Sequence, residues 1–351
     1  MIKCNRASSR AALMGLVLVA GAAAVAMGHG RSQTQAVSGA AGQGVGGDPW
    51  AGVLQNSIVL PAVIRDFKAA GERGHADFQA YGNPVITTGL VEDRLDRNGK
   101  PVFKGRRGQQ IDREFRNQAG QPIHPMFFGV GLRNRPADAN QAAAQVGQGR
   151  SDAGGSGAVS EQRTAVSDSR GSMSQSSNQL TSAERFAEWY ADVPGVNVSS
   201  LVNLTFNRVA GTNRYVFDSA ADEPWRSRGG FFPINGMGFG NYGSWGKNFH
   251  FTTELMTEFV YDQGSRQSFT FSGDDDVWVF IDGRLLMDLG GLHPRREQTL
   301  ELDRVDFLEH GKSHKLTVFH AERATNESNF RIETTITLRR ADLPNVTGMF
   351  D

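Results

Sequence analysis

Hydrophobic and polar residues alternate with a period of two through much of the C-terminal half of this chain. Phe330, Ile332, Thr334, Ile336 and Leu338 alternate with Arg331, Glu333, Thr335, Thr337 and Arg339, which turns one set of side chains to a core and the other to water, as a strand requires. Helical spacing would scatter the same residues around a cylinder. Phe249, Phe251, Thr253, Leu255, Thr257, Phe259 and Tyr261 repeat the pattern, and Phe269 with Phe271 opens another strand after the break at Gln263-Gly264. The apolar runs 277–281 and 285–287 flank Asp282-Gly283, a pair that accepts the positive φ angles of a two-residue hairpin turn. A further strand, 316–319, follows the turn signal Gly311-Lys312. Five or six strands with hardly any amphipathic helical stretch among them predict an all-β antiparallel sandwich or barrel.

Elsewhere the pattern fails, and the failures divide the chain. Lys3, Arg6 and Arg10 precede the apolar stretch 11–27, and Ala24-Val25-Ala26 offers the small residues a signal peptidase accepts. Residues 1–26 therefore read as a secretory signal, with an uncleaved membrane anchor as the alternative. Residues 27–52 read as a flexible tether, because a Gly, Ala, Gln and Ser composition cannot bury enough apolar surface to offset ordering. The domain spans 53–340, with 341–351 as a tail. Within it, about 139–182 is again rich in Ala, Gln, Gly and Ser and reads as a disordered surface insert. Closure entropy grows only logarithmically, so a domain tolerates such a loop.

Composition narrows the function classes. Lys plus Arg and Asp plus Glu both total 37 in 351 residues, so no net charge points to nucleic acid or an anionic membrane surface. The one cysteine, Cys4, lies inside the signal segment; a mature protein cleaved there has no disulfide to brace it.

The chemistry concentrates in Gly273-Asp274-Asp275-Asp276, where three carboxylates abut the apolar run 277–281. Adjacent negative charges at a strand entrance repel one another unless water or a cation screens them, and Ca2+ collects such hard oxygen ligands. A solvated acidic turn is the other reading. His293 and the pair His320 and Glu322 lie nearby in sequence motifs; singly, such histidines are more often hydrogen-bonded than ligating. Gly238-Phe239-Gly240-Asn241-Tyr242-Gly243 matches the dinucleotide fingerprint without the strand and helix that give its glycines their use. It reads instead as a glycine-rich loop whose Tyr242 and Trp245 either stack on a sugar ring or fill the core. The His320-Ala321-Glu322 triplet lacks the cysteine pair of a zinc deaminase, and no hydrolase elbow, zinc-binding helix or phosphate loop appears.

The segments GDDDVWVFIDG, LLMDLGGLH and HAERATNESNFRIETTI, with Val63-Ile64-Arg65-Asp66-Phe67, His75-Ala76-Asp77-Phe78 and 189–197 upstream, resemble the fibro-slime domain, a branch of the PA14-like β-sandwich family. The resemblance implies that Asp274 and Asp275, joined by a cis peptide, coordinate Ca2+ and that Asn329 completes the site, with Asp276 and His293 as neighbours. Asp276 stands where many PA14 members carry a small residue, so their direct sugar contacts do not transfer. The expectation is a secreted or cell-surface, non-enzymatic, Ca2+-assisted module for a glycan or an extracellular matrix polymer. A structural component of a slime or envelope layer is second, and a polysaccharide-acting enzyme third.

Overall fold

The computed structural model describes residues 52–80, 84–124, 168–169 and 171–340. The segments expected as signal (1–26) and tail (341–351), all but the last residue of the expected tether (27–52), and most of the expected insert lie outside the described residues.

The described residues form sixteen strands, two short α-helices and three 3-10 turns. The first six strands are β1 (Ser57–Phe67), β2 (Thr87–Thr88), β3 (Gln109–Arg113), β4 (Phe115–Arg116), β5 (Pro122–Ile123) and β6 (Ser172–Gln175). After helix α1 (Ala183–Ala187) come β7 (Asn197–Arg208), β8 (Tyr215–Asp218) and α2 (Trp225–Arg228). The remaining strands are β9 (Phe251–Val260), β10 (Ser268–Gly273), β11 (Asp276–Ile281), β12 (Arg284–Leu289), β13 (Arg296–Glu301), β14 (Ser313–Glu322), β15 (Phe330–Thr334) and β16 (Arg339–Arg340).

Ten of these follow one antiparallel path, β12-β11-β14-β9-β1-β7-β8-β15-β10-β13, and β16 pairs with β9. The ends of the path, β12 and β13, come back toward each other, so the sheet is close to a closed barrel. The fold is thus all-β and antiparallel, as the alternation predicts.

Inside lies an aromatic and aliphatic core that includes Phe217, Phe231, Phe251, Phe271, Val277, Val279 and Phe330. A second cluster covers the other face of β11 and β14, where Trp278, Phe280 and Phe319 meet Phe78, Phe186 and Trp189. Buried on both faces, β11 is apolar at every position from Val277 to Ile281, and period two is absent there for that reason. Asp282 and Gly283 turn the chain at φ 47° and 72°, and the hairpin returns as β12.

Two expectations need correction. The strand expected over 330–339 stops at Thr334. The Thr334 hydroxyl donates to Ser268 O at 2.7 Å and accepts from Ile336 N at 3.0 Å, a local side-chain competition that ends the ladder. The chain resumes as β16 against β9. The insert is also shorter than its composition implies. Residues 171–182 are part of the domain: β6 pairs with β3, Leu180 is buried in the second cluster, and Ser182 caps α1 by accepting from Arg185 N at 3.3 Å.

Candidate functional site

The three aspartates leave β10 in one direction and are used in three different ways. The peptide between Asp274 and Asp275 is cis, and both residues line a cleft of about 350 Å3 with Gln79, Pro84, His293, Thr325, Asn326 and Glu327. Asp274 is gripped by Asn329: Oδ1 accepts from the backbone N at 2.5 Å and Oδ2 from the side-chain Nδ2 at 2.9 Å. Asp275 accepts from His293 N at 3.2 Å and Arg323 N at 3.1 Å. Asp276 turns away from the cleft. It is fully buried, bonded to Gly291 N at 2.6 Å and to Arg323 Nε at 2.6 Å, and so is a structural ion pair rather than a neighbour of the cleft.

The charge state follows from burial. The Asp275 carboxyl is pushed up to about 8, chiefly by desolvation, with Asp276 and Asp274 adding repulsion that Arg323 partly offsets. Asp274 is also raised, again by burial first. Behind them, buried Glu322 is raised well above the carboxylate range by desolvation and then by the charges of Asp274 and Asp275. Carboxyls converge here with less positive charge than they need.

The His293 backbone serves Asp275, but both ring nitrogens face carbonyl oxygens, Pro294 O at 3.0 Å and Leu289 O at 3.1 Å. Neither is turned toward a ligand in the cleft. His320 likewise holds Asp274 O from Nε2 at 2.8 Å, and burial lowers it to about 4. Both histidines are therefore hydrogen-bonded structural residues.

Among the described residues no three His, Cys, Asp or Glu side chains already stand as a metal cage. The cleft nonetheless suits a hard cation in kind. Asp274, Asp275, Asn326 and Glu327 offer oxygen and no sulfur, and a divalent ion would compensate two carboxyls that burial raises. Asn329 as placed presents nitrogen to Asp274; ligation requires its amide to turn over.

Tyr242 and Trp245 lie outside the cleft lining. Trp245 is 51% exposed and meets Phe249 edge-on at 5.8 Å, while Tyr242 packs edge-on against His250 at 4.6 Å. Their loop is fastened by Asp66, which accepts from Phe239 N at 2.5 Å and Asn248 Nδ2 at 2.7 Å. A Cβ on Gly238 would sit 2.2 Å from Asp66 Oδ2, so the fingerprint glycine serves a close approach to a carboxylate, not to a pyrophosphate. The loop reaches the cleft through Gln79, whose Oε1 lies 3.0 Å from His250 Nε2 and whose Nε2 donates to Thr325 Oγ1 at 3.3 Å.

Gln79 carried no signal in the sequence, since a lone glutamine has no pattern. Thr325, Asn326 and Glu327 stand inside the quoted motif HAERATNESNF without any mark of their position at the rim.

No family model matches the chain. Two curated relatives from Dictyostelium discoideum are similar over rather less than half of its length: Protein psiQ is 34% identical over 178 residues, 47% of this chain, and Protein psiD is 39% identical over 158 residues, 43% of this chain. The aligned parts cover 17% of psiQ and 29% of psiD, so the chain spans well under half of either relative. Among solved structures, a PA14 sugar-binding domain from an RTX adhesin aligns at 15% identity and a TM-score of 0.21, over 26% of this chain and 48% of that one. The Candida glabrata epithelial adhesin 6 A domain, in complex with Galb1-3GlcNAc, aligns at 18% identity and a TM-score of 0.17, over 28% of this chain and 46% of that one. Overlaps that small say nothing about what this chain binds.

Proposed function

We propose that the chain is an exported, non-enzymatic module that binds a glycan or an extracellular matrix polymer through a Ca2+ held at Asp274 and Asp275. The observation that supports this reading is the convergence of those two adjacent, under-compensated carboxyls on a cleft that also holds Asn326 and Glu327. Ca2+ takes six to eight oxygens and completes its shell with hydroxyls or water as readily as with protein groups. A bound ion would thus leave positions for vicinal sugar hydroxyls, with Asn326, Glu327 and Gln79 placed to hydrogen-bond around them. Tyr242 and Trp245 extend the surface on the Gln79 side.

The test is a thermal melt and a glycan array, each with Ca2+ and with chelator. Ca2+ should stabilise the fold by roughly 2.7 kcal/mol at a hundredfold excess over its dissociation constant, and array binding should vanish with chelator. The double change Asp274→Asn and Asp275→Asn should abolish both effects, because an amide keeps the shape and loses the charge. Melts indifferent to Ca2+ with no ion found by elemental analysis would overturn the reading and leave the slime or envelope component in its place. Reducing sugar released from a polysaccharide, and abolished by one carboxylate change, would make the chain an enzyme.

A further inference from the structure

Strand β7 has an open edge. It pairs with β1 in unbroken register from Ser57↔Asn207 to Phe67↔Asn197, while on its other side β8 reaches only Asn207 and Arg208. Arg208 N donates to Asn56 O at 2.8 Å. Because hydrogen-bonded pairs recur every second residue in an antiparallel ladder, the even-numbered residues of β7 bond to β1 and the odd-numbered ones face away. Phe67 N, which donates to His250 O at 2.8 Å, fixes the same parity on β1. The N–H and C=O groups of Ser199, Leu201, Asn203 and Thr205 therefore point off the sheet. No backbone partner meets them among the described residues.

Strand β7 itself carries none of the residues or bulges that usually blunt such an edge. Residues 197–207 contain no charge and no proline, and no bulge twists the ladder. The outer edge of β12, at one end of the path, differs: it is covered where Leu285 N donates to Asp93 O at 3.0 Å and Arg284 bridges Arg94. The outer face beside the open edge is partly apolar, with Leu201 40% and Val59 47% exposed. A cleft of about 490 Å3 between β7 and Pro224, Trp225 and Arg228 gives an added strand room.

We propose that β7 pairs with β7 of a second copy, antiparallel about a two-fold axis through Val202. That register sets Ser199 opposite Thr205 and Leu201 opposite Asn203, so each outward donor meets an outward acceptor. An isologous contact brings a patch against itself, and a neutral strand can do this without opposing like charges. The two exposed leucines cover one another diagonally across the axis. The product is one sheet running through two protomers, with two clefts on one particle. Two linked sites raise the apparent affinity for a repeating polymer with no new contact in either cleft.

Sedimentation equilibrium of the full chain at micromolar concentration tests this without reference to any glycan. The expected mass is twice that of one chain. Leu201→Lys sets two ammonium groups against each other, and Asn203→Pro removes a donor that plays no part in the ladder with β1. Each should halve the mass while the far-ultraviolet dichroism stays unchanged. Hydrogen exchange supplies the second measurement: the amides of Ser199, Leu201, Asn203 and Thr205 should exchange slowly in the dimer and quickly on dilution. A monomer at every concentration, a dimer untouched by both substitutions, or exchange at these four amides that does not change with concentration would overturn the proposal.

Discussion

Arg323 and Asp276 are both fully buried and 2.6 Å apart, in a place where one charge without the other is costly. Arg323→Met should destabilise the protein by about 3–5 kcal/mol in denaturant unfolding, because it strands the Asp276 carboxylate. Adding Asp276→Leu should recover much of that loss, since the expense lies in the unpaired charge. A double variant as unstable as the single one would show that Arg323 acts through its packing on Trp189. Asp66 makes a prediction in pH. Burial raises it to about 6, against the hydrogen bonds of Asn248 and Phe239 that lower it. A carboxyl raised on folding gives stability that is fully present below its unfolded value of 3.8 and is lost as pH climbs through about 6. Relative to Asp66→Asn, the unmodified protein should therefore lose ground between pH 4 and pH 7 and hold a constant difference above that. A difference that does not vary with pH would mean that Asp66 stays ionised throughout.

At the scale of elements, the strands with one buried face were legible from alternation, and the 282–283 hairpin from its Asp-Gly pair. Residues 171–182 were not. Their Gln and Ser content resembles the insert before them, and only the partners β3 and Leu292, whose N donates to Gln179 Oε1 at 3.3 Å, make that segment part of the fold. Tertiary hydrogen bonds to a distant chain leave no local period. The site was half legible for the same reason: three consecutive aspartates announce themselves, whereas the assignment of Asp276 to Arg323, 47 residues away, is decided by which side of β11 each one faces. Deletions separate the two halves of the biased region. Removing 140–167 should shift the thermal midpoint little, whereas extending the cut to 182 should cost several kcal/mol, since Leu180 alone is a core leucine of the kind worth about 2–5 kcal/mol. Equal melts for both deletions would show that β6 and Leu180 contribute nothing.

Across the whole molecule, β1 is completed by strands that follow it by well over a hundred residues: Ser57 meets Asn207 and Ala62 meets Leu255. Such long-range pairings delay the reward for ordering the chain, and a single cysteine can form no disulfide within the chain to hold it meanwhile. The same long-range wiring joins the aromatic loop to the acidic cleft through Gln79. Among the described tryptophans, Trp189, Trp225 and Trp278 are buried, whereas Trp245 is half exposed. Its indole should therefore emit at longer wavelength and be the most readily quenched of these four by acrylamide. Because Gln79 ties His250, which packs against Tyr242, to Thr325 at the cleft rim, a molecule settling there should alter that quenching. The change should disappear in Trp245→Phe and weaken in Gln79→Ala. The protein thus carries its own fluorescent reporter of occupancy, and ligands can be screened by light without labelling the chain.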